Sequence, residues 1–212
     1  MSDKPKGRVG ILISGRGSNM EAIADACKRE DFPAEVGIVV SNEPDAPGLQ
    51  KARVRRIESQ VIDHRASRSR EEHDKRIHAI MSARKVDLIC LAGYKRILSP
   101  WFVREWRGRV MNVHPSLLPA FPGLDAQEKA FDYGVRLSGC TIHFVDERVD
   151  HGPIILQCSV PLLDEDTVET FSERILEQEH RAYTEAVKLF FEGRLRVVGR
   201  RVFVSVDGAS GQ

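Results

Sequence analysis

The 212-residue sequence has only four cysteines, Cys27, Cys90, Cys140 and Cys158, with no C-x-x-C pair among them. That spacing speaks against a zinc knuckle or a redox dithiol and leaves the four as small buried hydrophobes. No apolar run is long enough to cross a bilayer, and Val9 to Ile13 is too short for a signal-peptide core, so the expected compartment is cytoplasmic, with no membrane partner. A surplus of one charge is also missing. The 32 Lys and Arg stand against 31 Asp and Glu, so no global field pulls the chain toward nucleic acid. Only Lys51 to Lys85 is locally basic; a solvated face is the plainer reading, a landing zone for an anionic ligand the sharper one. There is no repeat, low-complexity linker or domain boundary, and the length suits a single domain over 1–212.

What is present alternates. Strand-like Arg8 to Ser14, Ala34 to Ser41 and Arg56 to Ile62 are each followed by a helix-like stretch, Asn19 to Arg29, Pro47 to Arg55 and Arg70 to Lys85, before a further apolar run at Val86 to Leu91. Such βαβ spacing predicts an α/β fold: an open, mostly parallel, Rossmann-like sheet with helices on both faces. Arg109 to Val113, Leu137 to Val145 and Pro153 to Val160 supply mixed strands in the C-terminal half. From Thr167 to Glu192 apolar residues recur at helical spacing, which predicts a long C-terminal helix stopped by Gly193. Two alternating runs around Gly199 predict a terminal β-hairpin, and Ala209 to Gln212 a frayed tail. Within the domain, 8–113 forms an N-terminal βα half, 114–193 a second half, and 194–212 the hairpin and tail.

"GILISGRGSNM", Gly10 to Met20, turns from the first strand into the first helix through glycines. Unpaired N–H groups at a helix start are where α/β proteins commonly hold phosphate. Met20 stands where G-x-G-x-x-G requires glycine, and the second strand ends in Ser41-Asn42 without an acid for a ribose, so nicotinamide cofactors are disfavoured. G-x-x-x-x-G-K-[ST] is absent here, which disfavours a nucleoside triphosphate. Two readings remain: a single phosphate on the Gly17 and Ser18 N–H groups, helped by the Ser18 hydroxyl or Asn19 amide, or a tight turn with an ordinary Ser or Asn cap.

"VMNVHPSLLPAFPG", Val110 to Gly123, sets Asn112 and His114 two apart at a strand end, on one face. Ligands of open parallel sheets lie beyond such ends. Asp150, His151 and Gly152 are available from "VDHGP". No G-x-S-x-G elbow supports a serine hydrolase around Ser116, and no H-E-x-x-H supports a metal, so no metal is expected. His64, His73 and His78 lie among charges and are read as facing water; His143 is read as a packed strand residue.

Taken in order, "LISGRGSN", "LAGYKRILSP", "NVHPSLLPAFPG", "IHFVDERVDHGPIILQ" and "EQEHRAY" resemble the phosphoribosylglycinamide formyltransferase family over Val9 to about Gly193. The resemblance implies 10-formyltetrahydrofolate as formyl donor and glycinamide ribonucleotide as acceptor in purine biosynthesis. It assigns the acceptor's phosphate to Gly17, Ser18 and Asn19, and its sugar and glycinamide end to Gln178 and Glu179. Catalysis falls to Asn112, His114 and Asp150, and the folate to Arg70, Lys95, Arg96, Ile97, Leu98, Asn112 and the loop Asp146, Glu147, Arg148, Val149, Asp150. Amine attack on a formamide-type carbonyl creates an oxyanion that needs positioned donors, which an Asn amide and a His⁺ with a carboxylate beside it provide. Lys95 replaces a methionine common in relatives, and Gln127 a histidine. As a hypothesis, Lys95 and the basic stretch 51–85 favour polyglutamylated folate.

A formyltetrahydrofolate deformylase would use the same Asn, His and Asp, but with a regulatory domain before the glycine loop. A methionyl-tRNA formyltransferase would read H-A-S-L-L-P and carry a longer C-terminal RNA-binding region. A silent phosphometabolite-binding module would use the glycine loop alone and leave the Asn112, His114 and Asp150 clustering unexplained. Small molecules are therefore the expected partners, without nucleic acid, and the chain a monomer or homodimer.

Overall fold

A computed structural model describes residues 5–205. Five parallel strands come first: β1 (Gly7–Ile13), β2 (Ala34–Ser41), β3 (Ser59–Val61), β4 (Leu88–Leu91) and β5 (Val110–His114). They are followed by β6 (Leu137–Phe144), β7 (Ile154–Pro161), β8 (Leu195–Val198) and β9 (Arg201–Val204), in the sheet order β3-β2-β1-β4-β5-β6-β7-β9-β8. β6 runs antiparallel to β5 and β7, and the β8–β9 hairpin joins through a parallel bridge, Ile154 to Arg201. The mixed C-terminal half and the terminal hairpin are thus as expected.

The strands of the parallel half alternate with α1 (Ser18–Cys27), α2 (Pro47–Val54), α3 (Arg70–Ala83) and α4 (Pro100–Glu105); α5 (Ala126–Tyr133) and α6 (Val168–Phe191) flank the later strands. The end residues place these helices. Pro47 opens α2 at a position with no intrahelical N–H duty; Ser69 and Ser99 accept from Glu72 N and Phe102 N; Thr167 and Thr170 form a reciprocal capping box. Gly193, at φ 69°, ends α6 as read from the sequence. β3 is three exposed residues at the sheet edge, shorter than the Arg56 to Ile62 run. The tail 209–212 lies outside the described residues.

β1 is buried on both faces because helices cover both. Ile11 and Ile13 pack with α1 and α6 residues such as Ile23, Phe171 and Tyr183, while Leu12 packs on the other side with Ile77, Met81 and Phe102. On α6 the buried residues Phe171, Ile175, Ala182, Ala186 and Leu189 fall on one stripe, each large one stabilising by about 1.5–3 kcal/mol. Tyr183 lies in that stripe, and its hydroxyl donates to the carbonyls of Met111 (2.8 Å) and Leu91 (3.2 Å). One helix thereby holds the end of β4 and the β5 residue just before Asn112. Cys27, Cys90 and Cys140 are buried as expected, whereas Cys158 is only half-buried.

Candidate active site

Between β1 and β4 the strand order reverses, and a cavity of about 1050 Å³ opens there. Its rim is tied together at the strand ends: Ser14 Oγ donates to Asn42 Oδ1 (2.5 Å) and accepts from Lys95 N (2.8 Å), which joins the loops after β1, β2 and β4. The glycine loop forms one wall. Gly17 has φ 70°, and a side chain there would come within 2.9 Å of Gly48 Cα, so the loop can rest on the start of α2 only as glycine.

Gly17 is the N-cap of α1 and no side chain caps that helix, so the reading of Ser18 or Asn19 as an ordinary cap does not hold. Asn19 is instead buried, and its Nδ2 donates to Glu179 Oε2 at 2.7 Å, bridging α1 to α6. Burial pushes the Glu179 carboxyl up, against the opposing pull of that amide and of Arg16. Gly17, Ser18, Asn19 and Glu179 all line the cavity. Gln178 does not: the cavity face of α6 is Ser172, Glu173, Leu176 and Glu179, and position 178 is turned about 100° from its neighbour.

Across the cavity stand Asn112, His114 and Asp150. His114 is buried, with Nδ1 3.3 Å from Asp150 Oδ2 and Nε2 2.8 Å from the Phe121 carbonyl. Both partners only accept, so a proton on either ring nitrogen finds an acceptor already in place. Asp150 Oδ2 also accepts from Gly123 N at 2.8 Å, which joins the 115–123 loop to the 145–152 loop. Thr141 Oγ1 fastens the first of these, donating to Ser116 O and accepting from Leu118 N. Gly152 fastens the second: a Cβ there would sit 1.7 Å from Phe144 O.

His143 proves to be more than packing. It lies directly across from Asn112 in the β5–β6 pairing, and its Nδ1–H donates to Phe144 O at 2.8 Å. Its Nε2 is then left to accept from Asn112 Nδ2 at 3.4 Å, which orients that amide. Burial pushes the His143 pKa down, and Asp150, whose Oδ1 is 3.9 Å away, pulls it up less strongly. A neutral ring suits the acceptor role.

Lys95, Arg96, Ile97 and Leu98 line the cavity from the β4–α4 connection, and Asp146, Glu147, Arg148 and Val149 from the β6–β7 loop. Ile97 and Val149 are more than half exposed, an apolar pair at the mouth. Gln127 is there as well, and so are Arg16 and Tyr94, which motif reading had passed over. Arg70 is not: it is exposed at the first position of α3. The reading of His64, His73 and His78 as water-facing fails most clearly at His73. That residue is fully buried, its Nε2 2.9 Å from Tyr94 Oη, and burial, with Arg96 nearby, lowers its pKa to about 4. His64 and His78 are half-buried, His78 accepting from Trp106 Nε1 at 3.2 Å. No group of His, Cys, Asp and Glu among the described residues could hold a metal ion, and no helix among them is long and apolar enough to cross a membrane.

Comparison with known proteins is consistent with this geometry. A family described as formyl transferase matches residues 7–187. Phosphoribosylglycinamide formyltransferase of Haemophilus influenzae is 42% identical over 190 residues, 90% of each chain. The trifunctional purine biosynthetic protein adenosine-3 of Drosophila melanogaster is 47% identical over 195 residues; these are 91% of the present chain but only 14% of that protein's length. The crystal structure of glycinamide ribonucleotide transformylase 1 from Symbiobacterium toebii superposes with a TM-score of 0.92 at 48% identity, covering 94% of both chains. The chain belongs to the formyl transferase family.

Proposed function

We propose that the chain transfers the formyl group of 10-formyltetrahydrofolate to the amine of glycinamide ribonucleotide. The observation that carries this reading is the convergence of Asn112, His114 and Asp150 on a single cavity that also contains the glycine turn. The acceptor's phosphate rests on the N–H groups of Gly17 and Ser18, where the α1 dipole favours an anion. Its amine end points toward Glu179 and the catalytic wall. The folate lies along Lys95 to Leu98 and Asp146 to Asp150, its flat ring covering Ile97 and Val149, with Arg96 and Lys95 near its carboxylates.

The amine nitrogen attacks the formyl carbon, and the carbonyl's π pair moves onto oxygen. The remaining Asn112 N–H and the positive His114 ring stabilise that oxyanion, while Asp150 stabilises the ring. Collapse then breaks the bond to the folate nitrogen. That nitrogen leaves with the proton the amine gives up, and the His114 ring is the group placed to relay it.

The test mixes the protein with 10-formyltetrahydrofolate, with and without glycinamide ribonucleotide, and follows folate absorbance. Formyl loss only with the acceptor supports transfer. Loss without it would make the chain a hydrolase, and no loss a binding module.

A further inference from the structure

The β8–β9 hairpin has no part in the reaction above, yet it touches the loop that carries Asp150. Arg200, in the hairpin turn, donates from Nη2 to the His151 carbonyl at 2.7 Å. Its Nη1 lies 3.0 Å from both ring nitrogens of His151. Equal separation from the two nitrogens leaves Nη1 in line with neither lone pair. The ring meanwhile presents Nδ1 to Asp146 Oδ2 at 2.7 Å, and Asp146 Oδ1 accepts from Arg148 N at 2.9 Å. Asp146 and His151 so close the two ends of the loop on each other, and the guanidinium covers the clasp.

Asp150, inside that clasp, has φ 50°, a left-handed conformation uncommon outside glycine, which aspartate tolerates better than most side chains. Its own carboxylate is held by Gly123 N, and the next residue, His151, is gripped at its carbonyl by Arg200. The hairpin is in register for the task, since Arg201 bridges to Ile154, two residues beyond Gly152.

We propose that Arg200 is a positioning residue: it straps the 146–151 loop shut over the formyl-donor end of the cavity and keeps Asp150 against His114. This rests on the formyl-transfer reading for its catalytic consequence, though not for its structural one.

The test compares wild type, Arg200→Ala and Arg200→Lys in steady-state assays that vary each substrate separately. For Arg200→Ala, kcat/KM for the donor should fall roughly fivefold or more, while the acceptor's KM stays within about twofold. Arg200→Lys, which can still donate to the carbonyl but cannot cover the ring, should fall between. A donor kcat/KM within about twofold of wild type, or a loss shared equally with acceptor KM, would overturn the proposal. Hydrogen exchange supplies a readout that needs no activity. Amides 147–151 should exchange faster in Arg200→Ala, with those of the glycine loop unchanged; equal exchange in both loops' amides would sink the strap. A wild-type protein without formyl transfer would refute the functional reading and leave the exchange result to decide the strap.

Discussion

Replacing Asp150 by Asn removes one charge with little change in shape. The amide's Oδ1 can still accept from Gly123 N, so the contact between the 115–123 and 145–152 loops survives. What is lost is the carboxylate 3.3 Å from His114 Nδ1, in a pair whose side chains are 5% and 9% exposed. At that distance and an effective dielectric of about 20, unit charges attract by about 5 kcal/mol. Part of this attraction already acts before reaction. If about half bears on the charge that develops at the transition state, the barrier rises by about 2–3 kcal/mol and kcat falls about 30- to 200-fold. The acceptor's KM should change little, because the proposed binding mode sets its phosphate on the far wall. Steady-state kinetics by folate absorbance, with a thermal melt to confirm folding, measures both. A folded Asp150→Asn protein with kcat within about threefold of wild type would show that the carboxylate does not act on the ring during the reaction.

Four other outcomes are expected. Tyr183→Phe removes the hydroxyl's two buried contacts to the Leu91 and Met111 carbonyls and should cost about 0.5–1.5 kcal/mol in urea unfolding. His73 titrates near 4 when folded and near 6.5 when unfolded, so the unfolded chain takes up the proton first as pH falls. Its contribution to stability is complete above pH 6.5 and is lost toward pH 4, by at most about 3 kcal/mol; His73→Gln should flatten that part of the pH–stability curve. Gly152→Ala drives a methyl into Phe144 O, so the 145–152 loop must move; both Tm and kcat should drop, and a variant with wild-type values would contradict that geometry. Glu179→Gln weakens the bridge from Asn19 and should raise acceptor KM about tenfold while donor KM holds, as separate substrate titrations would reveal.

The parallel half of the sheet was legible because its strands and helices are punctuated by glycine, proline and serine at their ends. α4 and α5 were not foreseen: six and eight residues are too short to display a helical period. β3 reads as a full strand by composition but pairs over only three residues, since it is an edge strand with one neighbour. His73 was misjudged because α3 is charged on most of its surface; only His73, Asp74, Ile77 and Met81 face inward, and no local pattern marks a histidine as one of them. In the site, motif order located Asn112, His114 and Asp150, but the pairing of His143 with Asn112 depends on β6 lying antiparallel beside β5, a long-range register. Gln178 shows the limit of copying a motif by position: one residue along a helix is enough to leave the cavity face.

The two hydrogen-bond acceptors around His114 bear on what a ligand must do to engage that ring. Each nitrogen of that ring already faces an acceptor, a backbone oxygen on one side and a carboxylate on the other. Only a ligand able to displace the Phe121 contact can recruit it. On the formyl-transfer reading, that change of partner falls to the oxygen that gains charge, and the fold holds the imidazole ready for the exchange.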